Sequence, residues 1–199
     1  MKSLTLLLLL SFFSSQAIAG FTKGNGGNIL FCQSGKNIVL DFYELGELHK
    51  LTPSRDIDDP ALFDISSKRL SKLSSQMGND LTKVLASIND RIRYIGSTFE
   101  SVNDAYVVII PDDCELAQTA VQLNGRILIQ ASLYASLSPT QKKILLLHEA
   151  IYAVMLEKRK LDDSRPVRAL VSLLLSDEYL TMTSFDIKKF LDDNKVYIY

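Results

Sequence analysis

One stretch of the chain places an imidazole and a carboxylate side by side in apolar surroundings. His148 and Glu149 lie within a run of leucine, isoleucine, alanine and valine that extends from Ile144 to Met155. An ionised carboxylate that is buried without a partner costs several kcal/mol or shifts its pKa. A buried imidazole and carboxylate therefore usually have a structural or catalytic role. The two residues also begin the H-E-x-x-H pattern, in which two histidines one helical turn apart hold zinc. Tyr152 stands where the second of those histidines would be.

A catalytic metal site would need ligands from elsewhere, because the chain has only two histidines, His49 and His148. Zinc would be held by His148 together with His49 or with a carboxylate such as Glu44. In this alternative the chain is a metal-dependent, zincin-like hydrolase acting on peptides, with zinc as its cofactor. His148, Glu149 and Tyr152 would be its catalytic residues. The spacing along the sequence does not by itself bring these ligands together.

The interpretation that we favour is structural and needs no cofactor. Neighbouring residues of a helix point about 100° apart, so His148 and Glu149 each need a separate partner. Arg168 begins the next predicted helix after a short connection, which makes it the leading candidate to neutralise Glu149. With Ser164 and Tyr152 these residues would form a buried polar node. A buried ion pair adds little compared with apolar replacements, but losing one partner costs about 3–5 kcal/mol.

Composition and charge argue against two functional classes. The chain of 199 residues carries 22 lysines and arginines against 23 aspartates and glutamates, a net charge of −1. Without a basic excess or a long basic run, electrostatically driven binding to nucleic acid is not expected. No segment after the N-terminal region is apolar over the roughly 20 residues that a membrane-spanning helix needs.

The N-terminus has the features of a secretory signal peptide. Lys2 supplies a positive charge, residues 4–13 are almost entirely apolar, and residues 17–19 match the small-residue cleavage pattern. We therefore predict a signal peptide over residues 1–19 and one domain over residues 20–199. The mature protein is expected to be exported, either to the periplasm or out of the cell.

Two cysteines, Cys32 and Cys114, lie in the predicted mature chain. In an oxidising compartment they most simply form one disulfide, which would stabilise the fold by roughly 4–5 kcal/mol if chain entropy dominates. Buried free thiols are the alternative, and a metal-binding role for two isolated cysteines is less favoured.

Short strands and amphipathic helices surround the His-Glu segment. Residues 28–33 and 36–41 predict one hairpin, and Asn124-Gly125 predicts the turn of a second hairpin over residues 117–130. A helical pattern of apolar residues covers residues 61–99 and fits either one long helix or a helix pair. The chemistry-bearing elements are therefore expected to rest on a mainly helical scaffold.

The central helix has a distinct start signal. Ser138 is a typical helix cap, Pro139 suits the first helical position, and Gln141 completes a capping box. Further helices are predicted over residues 167–175 and 184–194. The sequence thus predicts an α+β fold, in which a small antiparallel sheet of hairpins packs on several helices around the central helix.

Several short motifs are spread over most of the chain after residue 19. They are Gly24-Asn-Gly-Gly27 followed by Cys32, Leu40-Asp-Phe-Tyr-Glu44, Asp113-Cys114 followed by Gln118, His148-Glu-Ala-Ile-Tyr152, and Asp163-Ser164 followed by Val167-Arg168. In these motifs the chain resembles a family of exported, uncharacterised proteins of Gram-negative bacteria. The resemblance implies an exported domain and carries no activity. We expect a non-catalytic envelope or binding domain, with an envelope protein as its partner.

Overall fold

The computed structural model describes residues 26–99, 109–158, 161 and 163–199, and over these residues the predicted α+β class is confirmed. The strands are β1 (Asn28–Cys32), β2 (Ile38–Val39), β3 (Ile92–Ile95), β4 (Cys114–Gln118), β5 (Ala120–Leu123) and β6 (Arg126–Gln130). The helices are α1 (Leu40–Glu47), α2 (Leu62–Leu73), α3 (Ser75–Ala86), α4 (Ile88–Arg91), α5 (Ala131–Ala135), α6 (Pro139–Lys158), α7 (Arg165–Leu174), α8 (Glu178–Thr181) and α9 (Ser184–Asp193). The predicted signal peptide over residues 1–19 lies outside the described residues.

The strands form two sheets rather than the single sheet that the hairpins suggested. One sheet has the order β2-β1-β4 and is antiparallel, whereas the other has the order β3-β6-β5. Both predicted hairpins are present, and Asn124 and Gly125 have φ values of 51° and 74°. Two consecutive residues with positive φ are what a tight two-residue hairpin turn requires.

The second sheet includes a strand that the sequence pattern did not predict. Residues Ile92–Ile95 were expected to be helical but form β3, which pairs in parallel with β6. Isoleucines three residues apart fit a helical period, yet β-branched residues also suit a pleated, half-buried surface. The partner strand, which is distant in sequence, decided between the two.

The long apolar pattern over residues 61–99 begins with a helix pair that breaks at Ser74. Ser74 ends α2 and caps α3, and its Oγ accepts a hydrogen bond of 3.2 Å from the Met77 amide. Gly78 does not break α3. A Cβ at Gly78 would lie 2.7 Å from the Ser71 backbone, so glycine allows α2 and α3 to approach closely.

Helix α6 lies at the centre of the core. From Ile144 to Met155 every residue of α6 except Leu146 is buried, and the helix contacts α1, α2, α3, α7, β2 and β5. The predicted cap is present, because the Ser138 Oγ accepts a hydrogen bond from the Gln141 amide at 3.2 Å. The Gln141 Oε1, however, accepts a hydrogen bond from the Val39 amide at 2.6 Å, which ties β2 to α6.

The predicted disulfide between Cys32 and Cys114 is confirmed. The two cysteines lie directly opposite each other at the ends of β1 and β4, with their Cα atoms 4.0 Å apart. The alternative of two free thiols is therefore wrong. The bond joins positions 82 residues apart in the sequence and encloses α1, α2, α3 and β3.

Candidate functional site

The His148 imidazole is paired with a carboxylate from helix α1. Its Nδ1 lies 2.6 Å from the Asp41 Oδ1, and both side chains are 0% exposed. Asp41 is the second residue of α1, where the helix dipole favours a negative charge. The Ser172 hydroxyl of α7 donates a hydrogen bond of 2.9 Å to the Asp41 carbonyl oxygen. The pair therefore joins α1, α6 and α7.

The protonation of His148 follows from these neighbours. Burial by itself lowers the pKa of His148, but the negative charges of Asp41 and Glu149 raise it and more than offset burial and the opposing charge of Arg168. The resulting pKa lies above the ordinary value for histidine. Nδ1 then carries a proton and donates it to Asp41 in a charge-assisted hydrogen bond. The His148 Nε2 and the Asp41 Oδ2 have no hydrogen-bond partner among the described residues.

The Glu149 carboxylate faces the strands. Its Oε1 accepts a hydrogen bond of 2.6 Å from the Gly27 amide, and its Oε2 accepts one of 3.0 Å from the Gln122 side chain. The same Gln122 amide group also donates to the Glu149 carbonyl oxygen at 2.6 Å. A Cβ at Gly27 would lie 2.2 Å from a methyl carbon of Leu145, so only glycine fits beside the carboxylate without movement. Glu149 thus anchors the start of β1, and β5, to α6.

Burial dominates the ionisation of Glu149. Complete desolvation raises the pKa of Glu149, and the nearby His148 charge, the Gln122 side chain and the Gly27 amide offset this only in part. The net pKa therefore lies above the ordinary value for glutamate.

The Arg168 guanidinium has a different partner from the one predicted. Its Nε donates a hydrogen bond of 2.8 Å to the Glu44 Oε2, and its Nη1 donates one of 2.7 Å to the Ser164 hydroxyl. The predicted ion pair between Arg168 and Glu149 is thus wrong. Helix α7 packs against α1, which brings Arg168 to Glu44, whereas Glu149 points from α6 towards β1 and β5. The predicted neighbour Ser164 does contact Arg168.

Together, Asp41, Glu44, His148, Glu149 and Arg168 form what we call the core network. Each of these five residues is at most 3% exposed. Tyr152, the remaining predicted catalytic residue, is 3% exposed and its ring stacks near that of His148, with centroids 6.3 Å apart. The structure therefore brings His148, Glu149 and Tyr152 together on α6, but it covers all three from solvent.

The predicted zinc ligands are not assembled. His148 is bonded to Asp41 and Glu44 to Arg168, while the His49 ring packs edge-on against Phe190 with centroids 5.2 Å apart. Burial and the positive charge of Arg168 lower the pKa of His49. Among the residues that the structure describes, no group of three or more His, Cys, Asp or Glu side chains is arranged to hold a metal ion. His148, His49 and Glu44 therefore do not form the predicted zinc site.

Three members of this site were missed by the sequence reasoning: Asp41, Gln122 and Gly27. The predicted hairpin strand over residues 36–41 included Asp41, whereas Asp41 lies in α1, which begins at Leu40. The motif Leu40-Asp-Phe-Tyr-Glu44 did contain the signal, since its two carboxylates neutralise His148 and Arg168. Gln122 and Gly27 carry no sequence signal for this role.

The comparisons with known proteins leave the site to be interpreted from its own geometry. No family model, no curated protein and no solved structure matches the chain. The resemblance to exported Gram-negative proteins therefore stays a prediction. Over the described ranges, no helix is both long enough and apolar enough to span a membrane.

We expect the free energy of unfolding to fall as the pH rises from about 6.5 to about 8, because below about 6.5 the lowered pKa of His49 acts in the opposite direction. His148 and Glu149 both have a raised pKa in the folded chain, so the unfolded chain releases these protons first and is favoured by each increase in pH. The stabilisation that His148 contributes is complete below the unfolded pKa of about 6.5. It is lost as the pH rises through the higher pKa of the folded chain. The Glu149 contribution is lost in the same direction, starting from about pH 4.3. Urea denaturation across this pH range measures the change.

His148→Gln should flatten this pH dependence. His49→Gln should retain it, because the pKa of His49 is shifted in the opposite direction. If the His148 variant does not fold, NMR titration of the parent answers the same question, because the His148 ring should titrate with a pKa above the ordinary value for histidine. A stability that rises between about pH 6.5 and pH 8 in the parent would contradict the assignment.

Proposed function

We propose that this chain is an exported domain that acts by binding an envelope component rather than by catalysis. In this proposal the core network holds the helices and strands of the domain in one arrangement. The observation that carries it is the burial of all five titratable residues, none more than 3% exposed, each bonded to a group from another element. A catalytic acid or base must come within hydrogen-bond reach of a substrate atom, and burial prevents this here.

The connections of the network support a structural role. Asp41 and His148 join α1 to α6, Glu149 joins α6 to β1 and β5, and Glu44 and Arg168 join α1 to α7. Each connection spans more than 100 residues of sequence, except the one between Gln122 and Glu149. Buried charges with such specific partners disfavour other packing arrangements, because any of these would leave a charge unpaired.

The disulfide supports export. Structural disulfides persist in oxidising compartments and are rare in the cytosol. The bond between Cys32 and Cys114 therefore fits the periplasm or the extracellular space, as does the predicted signal peptide over residues 1–19. The hydrolase alternative has no such support, because its zinc ligands are separated.

Glu149→Gln tests the structural role. We expect the free energy of unfolding to fall by about 1–3 kcal/mol, because the new NH₂ group faces one of the two donors, the Gly27 amide or the Gln122 side chain, and leaves that buried donor unsatisfied. Glu157→Gln, at an exposed position of the same helix, is the matched control and should change little. Residues of a reaction centre often reduce stability, so a variant as stable as the parent, or more stable, would overturn the proposal.

The same preparations test export when the parent and both variants are produced from the full chain in a Gram-negative host. We expect the protein in the periplasmic or extracellular fraction, with an intact mass that corresponds to residues 20–199 and no free thiol. Recovery from the cytoplasm with residues 1–19 attached would contradict export.

A further inference from the structure

A cleft that no residue of the core network lines lies between the end of α2, helices α8 and α9, and residues 196–198. Its volume is about 600 Å³, which is within the range of small-molecule sites. Tyr179, Leu191 and Val196 line it and are buried, with 5%, 8% and 4% exposure. We call it the α8–α9 cleft.

The mouth of the α8–α9 cleft exposes apolar surface. Leu180 and Tyr197 line the cleft and are 59% and 54% exposed. Tyr179, Leu191 and Val196, which form its floor, are buried. Apolar groups at the rim of a concave site lose contact with water when an apolar ligand fills it, and each buried CH₂ group contributes roughly 0.8 kcal/mol. The floor and the rim together are therefore suited to an apolar chain.

The polar part of the lining has an excess of positive charge. Lys72 and Lys188 line the cleft, and neither forms an ion pair with any residue that the structure describes. Asp192 is the acidic side chain of the lining. The neighbouring Lys189, in contrast, forms an ion pair, since its ammonium lies 2.6 Å from the Asp193 carboxylate. An anionic group would complement the two unpaired ammonium groups.

We propose that the α8–α9 cleft binds a single-chain amphipathic anion, with its alkyl chain against Tyr179, Leu191 and Val196 and its head group at Lys72 and Lys188. This inference rests on the proposed binding function and names the class of ligand. A concave site of this size holds one chain, which favours a monomeric ligand over the flat surface of a bilayer.

Isothermal titration calorimetry with three probes of equal chain length tests the inference. The probes are decanoate, decanol and decyltrimethylammonium, each kept below the concentration at which it forms micelles. We expect decanoate to bind with the highest affinity. Lys72→Gln and Lys188→Gln should each weaken decanoate binding by about twofold to fivefold, the effect of one exposed ion pair. The matched control Lys189→Gln, on the same helix but outside the cleft, should leave it unchanged.

Other outcomes would overturn the inference. Equal affinity for decanol would mean that the lysines do not recognise the head group, and tighter binding of decyltrimethylammonium would mean that Asp192 dominates. Binding to phosphatidylglycerol vesicles without binding of monomeric decanoate would indicate a membrane surface instead. Because Glu149 does not line the cleft and its test measures stability without a ligand, failure of decanoate to bind is distinguishable from failure of the proposed structural role.

Discussion

Replacing both Cys32 and Cys114 by alanine will lower the free energy of unfolding by about 4.5 kcal/mol if chain entropy dominates. The disulfide closes a loop between positions 82 residues apart, so its removal frees a large part of the unfolded chain. The folded state should change little, because the cysteines are direct neighbours on paired strands and the sheet hydrogen bonds remain. Urea denaturation of the oxidised parent and of the variant measures the difference.

Two controls separate the covalent bond from the side chains. Reduction of the parent with dithiothreitol removes the bond without changing the sequence, and should give a loss close to that of the alanine pair. A Cys32→Ser, Cys114→Ser pair shows the added cost of placing a hydroxyl at Cys32, which is buried. A loss below about 1 kcal/mol for both the alanine pair and the reduced parent would contradict the chain-entropy account.

Glu44→Leu is expected to lower the free energy of unfolding by about 3–5 kcal/mol, because it removes a carboxylate that is bonded to the buried Arg168 guanidinium. Adding Arg168→Met should recover most of this loss. Replacing both members of a buried ion pair by apolar residues of similar size is often neutral or stabilising. Urea denaturation of the parent, the single variants Glu44→Leu and Arg168→Met, and the double variant forms a complete double-mutant cycle.

Glu47→Leu is the matched control for this cycle. It removes another glutamate from α1, but Glu47 is exposed and its contact with Lys50 is long, at 4.0 Å between nitrogen and oxygen. A change below about 1 kcal/mol is therefore expected. If the double variant is no more stable than Glu44→Leu alone, the Glu44–Arg168 pair is not the source of the loss.

Local chemistry explains the parts of the fold that the sequence predicted. Asn124-Gly125 predicted a tight hairpin because both residues tolerate positive φ, and the hairpin is present. Ser138 predicted the start of α6 because its hydroxyl satisfies a free backbone amide, and this hydrogen bond is present. The disulfide also followed from the sequence, because two cysteines in an oxidising compartment leave few alternatives.

The partners of the buried charges did not follow from local chemistry. Glu149 was paired with Arg168 by proximity along the chain, but the carboxylate bonds to the Gly27 amide, which is 122 residues away. Ile92–Ile95 likewise became a strand through pairing with β6. In each case several partners had the required chemistry, and the packing of distant elements selected one.

The sequence by itself determined that an imidazole and a carboxylate would be buried on one central helix, because an apolar run of that length needs the interior of the protein. Only the tertiary structure decided that Asp41, Gly27 and Gln122 would neutralise or bind them and that Arg168 would turn to Glu44. The physical reason is that burial depends on local composition, whereas the choice of a hydrogen-bond partner depends on how helices and strands far apart in the chain come together.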